Sequence, residues 1–204
     1  MMYYLDGETE FHDVHPKDLW IYNKLQLCRV LGYNCGPAGT DVLEPNFYVV
    51  KPSINFMGMS RHARITWLDG STDHIHPGEF WCETFEGEHL SVDYQNEECK
   101  LTVKGHRSPE NPLYKWDKWE KLDKKVEFPN ILKNLEGNYE WVNCEFIDNH
   151  LIEAHFRPNP DFRHGNVIAI PNWGDIQQYR ECELKENYRY IEDPDFKRKG
   201  FWVH

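Results

Sequence analysis

From residue 18 to residue 31 the apolar positions Leu19, Trp20, Tyr22, Leu25, Leu27, Cys28 and Leu31 recur at helical spacing, and Gly32 closes the run. A helix is predicted there, after an irregular lead-in over residues 1–17. Beyond the loop Asn34-Cys35-Gly36-Pro37-Ala38-Gly39 the pattern shortens into strands. Residues 47–50 form one, halted by Pro52, and residues 63–68 run into Asp69-Gly70, a hairpin-turn dipeptide. Residues 80–85 lead to Gly87, residues 90–94 alternate apolar with polar, and residues 100–104 make a further strand. Residues 105–128 are polar and tryptophan-bearing, predicted as partly helical after Tyr114, and a short helix is expected over 129–135. Strands follow at 140–147 and 150–156, joined by Asp148-Asn149, and at 167–170.

Consecutive strands joined by tight turns, with helices between the groups, predict an α+β (mixed α/β) fold with largely antiparallel sheets. Two subdomains are expected, over 18–79 and 80–170, followed by a C-terminal extension over 171–204.

Composition narrows the function classes. Of 204 residues, 34 are acidic and 23 basic, for a net charge of −11, so general nucleic-acid binding, which depends on Lys and Arg neutralising phosphates, is not expected. No apolar run reaches the length of a membrane span, and the acidic start MMYYLDGETEFHD is unlike a secretory signal; a cytoplasmic location is the expectation. The six cysteines show no CxxC pair and are expected to be reduced structural thiols.

Three patches carry candidate chemistry. Lys51 leaves a buried strand before Pro52-Ser53, and Gly58-Met59-Ser60 follows, a loop of small residues able to offer backbone N–H groups to phosphate oxygens. Read alone, it is a surface lysine at a proline turn. Glu83 to Glu88, with Phe85 and Gly87 between them, is an apolar strand ending in acidic residues: a nucleotide hinge, or an acidic turn. The third patch places Glu153, His155 and Arg157 on one face of a strand and Glu145 beside them on its neighbour. Carboxylates so paired repel unless a cation neutralises them, and carboxylate oxygens bridging a phosphate-bound divalent ion suit Mg²⁺. The alternative is a solvated polar face.

Taken in order, these patches resemble the ATP-grasp family, over roughly residues 18–160. Asn23-Lys24 is similar to the family's helix-opening Asp-Lys, and the resemblance implies that Lys24 contacts ATP phosphates. Lys51, Gly58 and Ser60 look like the strand lysine and phosphate loop; Glu83, Phe85 and Glu88 look like the hinge, with Glu88 at the ribose. Glu145, Glu153 and His155 match the metal ligands, and Arg157 matches the arginine of the family's Glu-x-Asn-x-Arg. His155 stands where Asn is usual, and imidazole suits Mn²⁺ or Zn²⁺ better than Mg²⁺. The resemblance implies ATP and Mg²⁺ (with Mn²⁺ as the variant), a ligase joining a carboxylate to an amine, and a small-molecule or peptide carboxylate substrate. Arg107 is a further candidate for the transferred phosphoryl group or acyl substrate. The α/β domain that precedes the core in the family has no counterpart here, so a protein partner or a second copy of the chain is expected to supply it.

Two other readings compete. His74 and His76, with Glu79 after them, suggest a cupin-like metal site in which the two imidazoles lie on one side of an extended segment. A non-catalytic nucleotide-binding or interaction protein is the other, with Trp116, Trp119 and Trp202 as partner-facing aromatics.

Overall fold

The computed structural model describes residues 13–54, 62–174, 187–194 and 198–204. Two sheets, both antiparallel throughout, organise the described residues. The smaller has four strands in the order β1 (Cys35–Pro37), β4 (Glu79–Glu83), β2 (Asn46–Pro52) and β3 (Arg64–Leu68). Eight strands form the larger. Their order is β11 (Arg189–Ile191), β12 (Gly200–Val203), β10 (Ile168–Asn172), β7 (Lys118–Lys121), β6 (Glu98–His106), β5 (His89–Gln95), β8 (Trp141–Ile147) and β9 (His150–His155). The predicted α+β class with antiparallel sheets is what the chain adopts. Among the described residues no helix is long and apolar enough to cross a membrane.

Residue 80 lies inside β4, and the passage from the small sheet to the large one is made by residues 84–88. Strands β10, β11 and β12 continue the large sheet, so part of the predicted extension is sheet.

Local chemistry sets several boundaries differently from the apolar pattern. The helix predicted over 18–31 is two pieces, a 3-10 helix Pro16–Tyr22 and α1 (Lys24–Val30). Asn23 divides them: its backbone is extended, and its side chain accepts the Gln26 N–H at 3.1 Å as an N-cap, which suits Asn better than a helix interior. Asp18 fastens the first piece, accepting from Gly137 N at 2.8 Å, Glu136 N at 3.1 Å and Tyr139 Oη at 2.8 Å. Asp69-Gly70 is not a hairpin turn. Strand β3 pairs with β2, whereas the chain after Gly70 loops back to β4 on the far side of β2. No helix follows Tyr114; β7 forms instead, pairing with both β6 and β10. The helix expected over 129–135 reduces to a 3-10 turn, Asn130–Leu132.

Alternation decides what each sheet face carries. On the small sheet, Tyr48 and Val50 pack with Leu68 and Trp81 on one face. Lys51 is thereby turned to the other, where Phe80, Cys82 and Cys28 of α1 cluster. On the large sheet Leu90, Val92 and Tyr94 of β5 join Val142, Cys144 and Phe146 of β8 in the main core. The intervening residues His89, Ser91 and Asp93 therefore share the opposite face with Ile147, Glu145 and Asn143, their cross-strand partners.

Candidate functional site between the two sheets

Helix α1 bridges the sheets, and its first residue is the point of contact. Lys24 N–H donates to Ser53 O at 2.8 Å, tying the helix start to the end of β2. Its side chain crosses to β9, where Nζ lies 3.0 Å from Glu153 Oε2; the side chains are only 3% and 10% exposed. On β9 an extra residue, Ile152, makes a bulge, so that Glu153 rather than Ile152 stands opposite Glu145 and His155 opposite Asn143. Glu153 Oε1 lies 2.9 Å from His155 Nε2. His155 Nδ1 is buried with no hydrogen-bond partner among the described residues.

Charge is concentrated here, between the two sheets. Glu153 is held well below the usual carboxylate range: burial alone would push it up, but Lys24, His155 and Lys51 together outweigh that effect. Burial is also the largest influence on Lys24 and lowers it, with the Lys51 ammonium adding repulsion against the Glu153 attraction. Burial disfavours the charge on both groups; the surrounding cations outweigh it at Glu153, whereas at Lys24 the Lys51 repulsion adds to it. Lys51, 8% exposed, is raised despite burial, because the thiols of Cys82 and Cys28 and the carboxylates of Glu153 and Glu145 favour its charged form. Its Nζ stands 5.7 Å from the Phe80 ring centroid.

The adjoining face of the large sheet is polar. Glu145 Oε2 lies 3.1 Å from His89 Nε2, and the His89 ring packs edgewise on Trp116, with centroids 4.5 Å apart. Next along the face, Asn143 donates to Ser91 Oγ and Asp93 Oδ1, both at 2.8 Å, and Asp93 accepts the Asn159 N–H at 2.9 Å. Burial raises Asp93, opposed by these donors and by Arg157. This network holds the chain as it leaves β9 through Arg157.

Of the residues singled out from sequence, Lys24, Lys51, Glu145, Glu153 and His155 gather between the two sheets, with Arg157 near Asp93. Others stand apart. Glu83 Oε1 accepts the Asn34 N–H at 2.7 Å, binding β4 to the loop before β1. Phe85 stacks on His150, with centroids 4.1 Å apart and planes at 10°. Glu88 pairs with Lys104 at 2.6 Å, and Arg107 donates to Asn111 O at 2.8 Å. Gly58 and Ser60 lie outside the described residues. Among the described residues no three His, Cys, Asp or Glu side chains converge in an arrangement that would hold a metal ion. The cupin-like arrangement on strands is corrected: His74 and His76 lie in an exposed turn, and Glu79 is taken by a bidentate Arg64, at 2.8 and 2.9 Å.

His89, Ser91, Asp93 and Asn143 were not singled out from sequence. The polar positions of β5 alternate with Leu90, Val92 and Tyr94, a signal present in the chain; their meeting with β8 depends on register.

No protein-family profile matches the sequence, and no curated protein sequence matches it. Solved structures do match in backbone. A protein from Archaeoglobus fulgidus, provisionally described as of the ATP-grasp superfamily, superposes at a TM-score of 0.42 and 18% identity, over 68% of this chain and 46% of that one. The ATP-grasp ligase PsnB complexed with minimal precursor gives 0.39 at 13% identity, over 72% and 55%. The same ligase with a phosphomimetic precursor variant, Mg and ADP gives 0.38 at 13%, over 72% and 52%. The chain is thus similar, over part of its fold, to ATP-grasp structures about half of whose length it spans.

Proposed function

We propose that the two sheets form a cleft at Lys24 and Lys51 that binds ATP with a divalent metal ion, and that the chain is an ATP-dependent ligase joining a carboxylate to an amine or similar nucleophile. The observation that supports this most directly is the pair of buried ammonium groups, Lys24 and Lys51, facing the carboxylate-bearing edge of the large sheet. Lys24 is paired with Glu153, whereas no carboxylate among the described residues forms an ion pair with Lys51. A buried ammonium is costly without an anion. A polyphosphate entering beside Lys51 would supply one.

The donor set also suits a metal ion. Glu145 and Glu153 are opposed on neighbouring strands, and each carboxylate oxygen keeps a lone pair beyond the hydrogen bond it already accepts. These two would hold the divalent ion together with phosphate oxygens of the nucleotide, while His155, through its Nε2 contact at 2.9 Å, would orient the Glu153 carboxylate. When bound, the ion neutralises charge on the transferred phosphoryl group.

The chain's own part is electrostatic. Lys24 and Lys51 would hold the phosphate oxygens, and Glu153 keeps Lys24 aimed into the cleft. His89 orients Glu145. Arg157 would hold the acyl substrate or the transferred phosphoryl group, with Arg107 as the second candidate. A carboxylate oxygen of the substrate attacks the terminal phosphorus and ADP departs; the nucleophile then attacks the acyl carbon and phosphate departs. Fixed charges in a water-poor cleft stabilise both steps without reorganisation.

The test is the thermal midpoint of the chain with ATP, with Mg²⁺ and with both. A ligand specific for the native state adds about 2.7 kcal/mol at a hundredfold excess over its dissociation constant. A rise that requires nucleotide and metal together is expected. No rise at millimolar nucleotide would overturn the reading.

A further inference from the structure

Three cysteines meet on the α1-facing side of the small sheet. Cys35 of β1 and Cys82 of β4 are directly opposed in the antiparallel ladder. The flanking hydrogen bonds, Glu83 N to Asn34 O at 2.9 Å and Ala38 N to Glu79 O at 3.2 Å, put the Cys35–Cys82 pair at a non-hydrogen-bonded position. Side chains approach most closely there, with Cα atoms ~4.5 Å apart in regular sheet, inside the span a disulfide bridges. Cys28 of α1 packs on Cys82 in the same cluster, and Cys35 is the one of the three that is not fully buried.

We propose that Cys35 and Cys82 form a redox modification site, oxidised by hydrogen peroxide to a reversible cross-strand disulfide, with Cys28 and Lys51 activating Cys82. The surroundings assign the roles. Cys28 donates its S–H toward Cys82 and Lys51 places an ammonium nearby, and together these hold the Cys82 thiol below the ordinary thiol range against the effect of burial. Cys28 is raised correspondingly, as the member of that pair that keeps the proton. Cys82 is therefore the nucleophile and Cys35 the solvent-side sulfur. The Cys82 thiolate attacks one oxygen of peroxide, giving a sulfenic acid and hydroxide. Cys35, whose thiol burial and the neighbouring Cys82 hold above the ordinary range, then attacks the Cys82 sulfur and expels a second hydroxide, and the protons released by the two thiols convert both hydroxides to water. In balance, two thiols and one peroxide give one disulfide and two waters. The crosslink would staple the three-residue edge strand β1 to β4. This inference does not depend on nucleotide binding.

The experiment treats the full chain with equimolar hydrogen peroxide, alkylates the remaining thiols, and maps peptides by mass spectrometry with and without dithiothreitol. The expected result is loss of two free thiols, one crosslinked peptide pair containing Cys35 and Cys82, and full reversal by dithiothreitol. Cys99 and Cys144, in the large-sheet core, should remain alkylatable on unfolding. Cys28→Ser should slow crosslinking several-fold near neutral pH while leaving the Cys35–Cys82 pairing unchanged. Because the wild-type map needs no variant, misfolding of a substituted chain would not obscure it. A Cys28–Cys82 crosslink, or oxidation of Cys35 no faster than that of Cys99, would overturn the proposal.

Discussion

Replacing Glu153 by Gln changes one charge and almost no volume at the centre of the cleft. Glu153 accepts from His155 at 2.9 Å and faces Lys24 Nζ at 3.0 Å, and the Lys24 side chain is only 3% exposed. Without the carboxylate, Lys24 is a buried ammonium opposed by Lys51. Removing one partner of a buried ion pair costs about 3–5 kcal/mol, and the surviving amide oxygen puts this case near about 3. For a chain of this size that corresponds to roughly 6–12 °C in thermal midpoint. The pH dependence has a definite sign. Because the folded Glu153 carboxyl is held well below its unfolded value, its contribution is fully present above the ordinary carboxylate range. It is lost as pH falls through the depressed folded value. Urea unfolding of wild type, E153Q, K24Q and the double variant, at pH 7 and pH 3.5, measures both the loss and the coupling. The double variant should recover most of the loss. An E153Q chain within about 0.5 kcal/mol of wild type at pH 7 would refute the claim that this pair is buried and charged.

Three further outcomes follow from the same geometry. Lys51→Met should lower the thermal midpoint, because the folded surroundings favour the charged ammonium, and weaken ATP binding by roughly tenfold to a hundredfold in titration calorimetry; unchanged affinity would remove Lys51 from the phosphate contacts. Asp18→Asn should cost about 2 kcal/mol by weakening the charged acceptor of the Glu136 and Gly137 N–H groups and Tyr139, read by urea unfolding. Its folded carboxyl is also depressed, the backbone donors outweighing burial, so this loss should be full at neutral pH and shrink in acid; an equal loss at pH 3 would contradict it. His89→Ala should lower ATP turnover with little change in the thermal midpoint, through loss of the Glu145 contact; a large unfolding effect with intact turnover would make His89 a packing residue against Trp116.

The strands most legible in the chain are those whose own alternation declares them. Residues 90–94, 140–147 and 150–156 alternate or run apolar between turn residues, and β5, β8 and β9 lie there. Asp148-Asn149 turns the β8–β9 hairpin, with Asp148 at φ 53°. Elements whose partners are distant in sequence were not legible. Strand β1 is three residues held by β4, with β2 and β3 intervening in the chain, and β7 is a charged strand that exists because β6 and β10 flank it. The single helix over 18–31 failed for a local reason: its apolar spacing is continuous, but Asn23 caps more favourably than it propagates.

At the site the division is similar. The sequence by itself determined which chemistry is present: Lys51 before Pro52, Glu153 and His155 two apart on one strand face, and an acidic charge balance. Period-two alternation is a property of the backbone and needs no partner. Tertiary structure alone decided which groups meet. Lys24 reaches Glu153 because α1 is pinned to Ser53 O and spans two sheets, and His89 reaches Glu145 because β5 and β8 pair in one register. Cys82 stands opposite Cys35 because the chain after Gly70 returns past β2 to the edge strand. Such contacts join residues dozens of positions apart, and their energies come from burial and pairing that exist only once the chain has closed on itself.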